Sequence, residues 1–192
     1  MHPIIANVSK HIRLSTEEQA YFLAMLQAKS LKKKQILLRE GEICKSSAFV
    51  ISGCLRAYTI DHNGFEHILQ FAPKDWWIAD MYSLITQQPA TLSIDAVETT
   101  EILLLPRTAQ EQLFVEVPAF ERFFRIITEK ALVTARRRVL DTLSLTAQQR
   151  YENFCKQYPT LIYTLPQKQI ASFIGVTPEF LSKMRKELLR SK

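Results

Sequence analysis

The spacing of apolar residues changes character twice along the chain. Ser15-Thr16-Glu17-Glu18 opens a helix, because Ser15 can cap it while Glu18, three residues on, reaches back in a capping box. Tyr21, Phe22, Met25 and Leu26 follow at helical spacing, which predicts a helix ending near Ala28. From Lys33 to Pro106 the pattern becomes short runs broken by turns. Lys33–Leu38 stops at Glu40-Gly41-Glu42, and Ala48–Ser52 stops at Gly53. Cys54–His62 and Phe65–Phe71 are joined by Asn63-Gly64, a strong two-residue hairpin signal. Ala72-Pro73 and Gln87-Gln88-Pro89 break the segments before Ala90–Val97 and Thr100–Leu105. Six or more short strands with Ala79–Thr86 as the one interior helix candidate predict an antiparallel sandwich or barrel such as a jelly roll.

After Pro106 helices return. Ala109–Val115 is short, and Pro118 then leads into Ala119–Leu143, a segment without Gly or Pro that would be about 37 Å long as a helix. Ile126, Val133 and Leu140 recur every seven residues as in a two-helix seam, and Phe120, Phe123 and Ile127 thicken its first half. The expected dimer helix therefore presents Phe123, Ile126, Ile127, Val133 and Leu140, although such a stripe also suits packing on the β-domain. Arg136-Arg137-Arg138 reads as a solvated run. Thr146 looks like another cap for a helix running to about Tyr158, which makes Leu143–Thr146 a candidate hinge.

Leu165 to Lys186 reads as helix, tight turn, helix. Ile170, Ala171 and Ile174 line the inner face of the first helix, and Gly175 supplies the turn. Thr177 caps the second helix, Pro178 takes its first position, and Leu181 and Met184 face inward. Glu179, Ser182, Lys183 and Lys186 face out. This is a helix-turn-helix pattern, whose second helix enters the major groove of DNA. Lys183 can donate to guanine, Glu179 can accept from cytosine, and Ser182 can do either. Thr177, Gln167, Lys168 and Arg185 suit phosphate contacts, and Pro178, Gln169 and Lys186 complete the expected DNA-binding set.

Charge sharpens that reading. The net charge is +6, yet residues 1–143 carry 17 Lys and Arg against 16 Asp and Glu, while residues 144–192 carry 8 against 3. A nearly neutral body with a basic tail suggests a polyanionic partner, although a basic solvated helix surface gives the same count. The composition, 47% hydrophobic and 23% charged, is that of a folded domain rather than a disordered chain. The sequence shows no apolar run of membrane-span length and no secretory signal at its start. The three scattered cysteines, Cys44, Cys54 and Cys155, and the four histidines offer neither a disulfide framework nor a metal centre, and suit a reducing cytoplasm. Neither catalytic residues nor metal ligands are expected, and the paired His-x-His of a cupin-type enzyme is missing.

The chain as a whole resembles the Crp–Fnr superfamily of bacterial transcription regulators. Its marks are Arg39-Glu40-Gly41-Glu42, Ile51-Ser52-Gly53-Cys54-Leu55-Arg56, the Asn63-Gly64 hairpin, Trp77-Ile78-Ala79-Asp80, and Glu179-x-x-Ser182-Lys183. The resemblance implies an α+β chain: an N-terminal antiparallel β jelly roll like that of cyclic-nucleotide-binding domains, a long dimerisation helix, and a C-terminal all-α helix-turn-helix domain. The expected domains are an effector domain over 1–116, the dimer helix and hinge over 117–145, and the DNA-binding domain over 146–192. It further implies a cytoplasmic homodimer, a palindromic double-stranded DNA site and contact with RNA polymerase. The alternative is a dimerisation or effector-sensing module that does not bind DNA.

Two departures from the family pattern matter. Nucleotide-binding members carry Gly-Glu-Leu and then an Arg-Ser pair, where Glu holds the ribose and Arg the phosphate. Aligned without gaps, this sequence has Ala79-Asp80-Met81 and Ala90-Thr91 there, so the pocket formed by Ile78, Ala79, Asp80, Met81, Ala90 and Thr91 is degenerate. No Lys or Arg stands between Lys74 and Arg107, leaving a phosphate without its charged partner. Cyclic AMP binding of the usual kind is not expected, and no cofactor is assigned. A haem ligand is not expected either, since pairing across Asn63-Gly64 would set His62 opposite Phe65 and His67 opposite Ile60 as surface residues. Trp76-Trp77 with Tyr82 suit either an apolar pocket or the core. The second departure is a missing wing: only Leu188 to Lys192 follow the second helix, so a shallower salt dependence of DNA binding is expected. Lys183, where relatives often carry Arg, keeps the charge without the bidentate fork.

Overall fold

The computed structural model describes residues 2–190, with side chains through residue 188. The described residues form nine helices and eight strands in two compact units. One unit takes the chain up to Thr59 and Gln70–Lys130; the other takes Ile60–Leu69 and the chain from Ala131 onward.

In the first unit α1 (Pro3–Val8) and α2 (Thr16–Ala24) precede β1 (Gln27–Leu31), β2 (Ile36–Leu38), β3 (Ser46–Ser52), β4 (Cys54–Ile60), β5 (Glu66–Pro73) and β6 (Trp77–Ile78), apart from Ile60 and Glu66–Leu69, which belong to the second unit. Then come α3 (Met81–Thr86), β7 (Ser93–Ala96), β8 (Thr100–Pro106), α4 (Arg107–Glu116) and the start of α5 (Ala119–Ser144). The strands build two four-stranded sheets, ordered β1-β8-β3-β6 and β2-β7-β4-β5. Alternate residues of both sheets, among them Val50 and Ile102 from one and Leu55, Ala57 and Ile94 from the other, share one core. The opposite face of the first sheet, through Phe49, Leu103 and Leu105, packs under the helices against Ile4, Phe22, Leu113, Phe120 and Phe123. This is the jelly roll expected from the strand spacing.

Local chemistry explains most boundaries. Ser15 and Glu18 form the capping box at the start of α2. Gly53, between β3 and β4, sits at φ +83°, and a Cβ there would lie 2.5 Å from the Thr99 carbonyl oxygen. The helix expected to reach Ala28 ends at Ala24, because Gln27–Leu31 pairs residue for residue with β8, from Gln27 opposite Leu104 to Leu31 opposite Thr100. The hairpin tip also differs. Asp61, not His62, pairs with Phe65, its N–H donating to the Phe65 carbonyl at 3.0 Å. The Asp61 carboxylate accepts from the amides of Asn63 and Phe65, at 2.9 and 3.0 Å, and Gly64 takes φ +79°, giving a three-residue loop. His67 approaches Asp61 at 2.8 Å with its side chain half exposed.

The second unit holds the hairpin tip, the last turns of α5, α6 (Ala147–Gln157), α7 (Leu161–Thr164), α8 (Gln167–Ile174) and α9 (Pro178–Arg190). Thr146 caps α6 in a second capping box with Gln149. Ile68, Phe154, Tyr158, Leu161, Leu165, Ile170, Ala171, Ile174, Leu181 and Met184 are its buried apolar residues among those described. The expectation of a missing wing falls partly on residues 191 and 192, which lie outside the described residues.

Candidate nucleic-acid interface

The α8–α9 pair is fixed by its own sequence. Gly175 adopts the left-handed conformation after α8, φ 73° and ψ 45°. Its N–H donates to the Ser172 carbonyl at 3.3 Å, and the Val176 N–H donates to that of Ala171 at 3.0 Å, the two bonds of a Schellman ending. Thr177 Oγ1 then accepts from the Phe180 amide at 3.2 Å, while Pro178 fills the first helical position. Leu181 and Met184 are buried beneath, as are Ile170, Ala171 and Ile174 on α8.

What remains outside is the face the sequence assigns to DNA. Pro178, Glu179, Ser182, Lys183 and Lys186 line one shallow concavity along α9. Glu179, Lys183 and Lys186 are exposed, as are Thr177, Gln167 and Lys168. Two residues stand apart from that face. Gln169 is half-buried, and the half-buried Arg185 places its guanidinium carbon 6.0 Å from the centre of the Tyr151 ring. Burial raises the Tyr151 phenol above its ordinary pKa.

On α5 the apolar positions divide. Phe123 is wholly buried in its own chain, with ring contacts to Trp77, Phe120 and Phe124, and is therefore not on a free face. Ile126 and Ile127 are half-buried, and Ile127 packs on the helical core. Val133 and Leu140 are 65% and 61% exposed, and Leu132, Val139 and Leu143 are exposed beside them.

The nucleotide-pocket positions are occupied by the protein's own hydrogen bonds. Asp80, 2% exposed, caps α3 by accepting from the Ser83 amide at 3.0 Å. Its other oxygen accepts from the Thr91 amide and hydroxyl. Ile78 and Ala90 are buried, Ala79 is half-buried and Met81 is exposed. The neighbouring cations are committed elsewhere. Arg107 donates to Glu111 at 2.9 Å and to the Leu84 carbonyl in the second half of α3. Arg56 is held by both oxygens of Asp95, at 2.7 and 2.9 Å, and stacks on Tyr58. These residues do not fit a cyclic nucleotide bound through its phosphate. Trp77 packs among Phe49, Phe123 and Phe124, while Tyr82 is exposed.

Sequence reasoning missed the roles of three side chains. Arg138, expected in a solvated run, is half-buried and donates to the carbonyls of Ile68, Leu69 and Phe173 while stacking 4.1 Å over the Phe173 ring. Burial lowers its pKa, yet three carbonyls and a ring face satisfy the guanidinium. Ser172 bonds the hairpin, and Arg150 ties the carbonyls of Ile174 and Leu145, both at 2.8 Å. A triple-arginine run gives no signal of which member turns inward.

A jelly roll, a long helix and a helix-turn-helix follow one another along the chain. The family model of the cyclic nucleotide-binding domain matches residues 28–116. The anaerobic regulatory protein of Haemophilus influenzae is 22% identical over 167 residues, covering 81% of this chain and 64% of that protein. The transcriptional activator protein FnrA of Stutzerimonas stutzeri is 24% identical over 171 residues, covering 82% of this chain and 68% of its own length. The chain thus spans just under two thirds of the Haemophilus protein. Among solved structures, the c-di-GMP-responsive global regulator CLP of Xanthomonas campestris superposes with a TM-score of 0.75 at 14% identity, covering 92% of this chain and 93% of CLP. Residues 28–116 thus match the cyclic nucleotide-binding domain, and most of the chain is similar to the anaerobic regulatory protein and to FnrA, the kind of relative its motifs implied. Among the described residues no helix is long and apolar enough to cross a membrane.

Proposed function

We propose that this chain is a homodimeric, sequence-specific DNA-binding transcription regulator that acts without cyclic AMP in the usual way. The observation that carries this reading is the outward face of α9: Glu179, Ser182, Lys183 and Lys186 stand together on a capped helix whose other face is buried. In the major groove Lys183 would donate to guanine, Glu179 accept from a cytosine amino group and Ser182 serve either, while Thr177, Gln167 and Lys168 meet phosphates. Residues 1–116 would form the effector domain, 117–145 the dimer helix and hinge, and 146–192 the DNA-binding domain. The exposed stripe of Leu132, Val133, Val139, Leu140 and Leu143 suits the seam with a second copy. A two-fold dimer would read a palindrome with half-sites about 34 Å apart, and RNA polymerase would be the partner at the promoter.

Reversing charge at two exposed positions, Lys183→Glu with Lys186→Glu, tests the reading. Loss of duplex binding with unchanged helix content is expected. Unchanged duplex binding would contradict it and favour the module that does not bind DNA.

A further inference from the structure

β5 is an edge strand of its sheet, so its outer N–H and C=O groups need partners. Two side chains from the helical part of the second unit supply them. Ser172 Oγ donates to the Glu66 carbonyl at 2.6 Å and accepts from the Ile68 amide at 3.0 Å. One hydroxyl thus does what a neighbouring strand would do. Arg138 donates to the Ile68 carbonyl at 2.6 Å and to that of Leu69. The same guanidinium reaches the Phe173 carbonyl at 3.0 Å on α8 and covers the Phe173 ring. That ring packs against Phe154 and Tyr158, at 5.3 and 5.6 Å between centroids. The Gly175 turn then fixes α9 to α8.

We propose that Ser172 and Arg138 are positioning residues for DNA reading, clipping α8, and through it α9, to the hairpin at the edge of β5. This rests on the DNA-binding reading above. None of the groups in the clip lies on the outward face of α9, so the clip acts through orientation. A helix-turn-helix held in place before DNA arrives loses less freedom on binding, and affinity rises accordingly.

The test compares the full chain with Ser172→Ala, Ser172→Thr and Arg138→Lys on one duplex recovered by selection, together with amide exchange of Ile68. In Ser172→Ala the Ile68 amide should exchange faster and the dissociation constant for DNA should rise about 3- to 10-fold, the scale of one lost hydrogen bond. The slope of affinity against salt should stay the same, since no phosphate contact is removed. Ser172→Thr should restore both readings, and Arg138→Lys, which keeps the charge without the fork, should weaken binding as Ser172→Ala does. Faster exchange with unchanged or tighter DNA binding overturns the proposal, as does unchanged exchange. A wild-type chain that selects no duplex overturns the DNA reading itself, and the clip's role in it, even where the exchange result stands.

Discussion

The amide and the hydroxyl of Thr91 both donate to one carboxylate oxygen of Asp80, at 2.8 and 3.3 Å. The other oxygen caps α3. A carboxylate committed in this way, with no Lys or Arg between Lys74 and Arg107, leaves a cyclic phosphate without a partner. Millimolar cyclic AMP should therefore leave the thermal midpoint unchanged, whereas tight binding to the folded state would raise it. A rise of several degrees in a thermal scan contradicts this. Asp80→Ala should cost about 1–2 kcal/mol through the lost cap, read as a lower denaturant midpoint at constant slope.

Arg56 and Asp95 face one another across β4 and β7 with side chains only 9% and 7% exposed. Asp95→Ala leaves the guanidinium without its carboxylate in a buried place and should cost about 3–5 kcal/mol. Replacing both residues by leucine should cost clearly less than the sum of the single changes. Additive losses in chemical denaturation would show that the pair is not coupled.

The thiols should separate by reactivity. Burial pushes the Cys54 thiol up to about 12, and burial raises Cys44 as well. Near pH 8 neither has an appreciable thiolate fraction, while Cys155 on α6 is half exposed. A thiol reagent should label Cys155 first and reach Cys44 and Cys54 only on unfolding. Early labelling of Cys54, seen by peptide mass, would contradict the packing of β4.

The hairpin loop carries a pH signature. Asp61 is held below its ordinary value, first by the hydrogen bond from His67 and then by the amides of Phe65 and Asn63. A carboxylate lowered on folding contributes stability that is present above its unfolded pKa of about 3.9 and is lost as pH falls through the lower folded value. The Asp61 carboxyl carbon resonance should thus follow a titration whose own midpoint lies below about pH 3.9. A midpoint well above that value would contradict this account of the loop.

How far the sequence was legible follows from where each signal is stored. The α8–α9 unit was legible almost residue by residue, because Gly175, Thr177 and Pro178 act on their own backbone. Both capping boxes were legible for the same reason. The Asn63-Gly64 turn was found but its pairing was off by one, since Asp61 takes two loop amides with its side chain and draws the loop to three residues. β1 was missed, with only Gln27 and Ala28 read as the end of a helix, because its conformation is set by β8, some seventy residues away. Arg138 and Ser172 were illegible for a deeper reason: their partners are main-chain groups of the hairpin, which leave no trace in residue type. On α5, heptad spacing marked Val133 and Leu140 but could not tell that Phe123 is consumed by the core of its own chain.

The central claim is that α9 reads duplex DNA without a cyclic nucleotide. Selection from a random duplex library at physiological salt, run with and without cyclic nucleotides, tests it most directly. Enrichment of one palindrome in both arms is the predicted result. Enrichment only with nucleotide would contradict the reading of the Asp80 pocket, and enrichment in neither arm would contradict the assignment of Glu179, Ser182 and Lys183 to the groove.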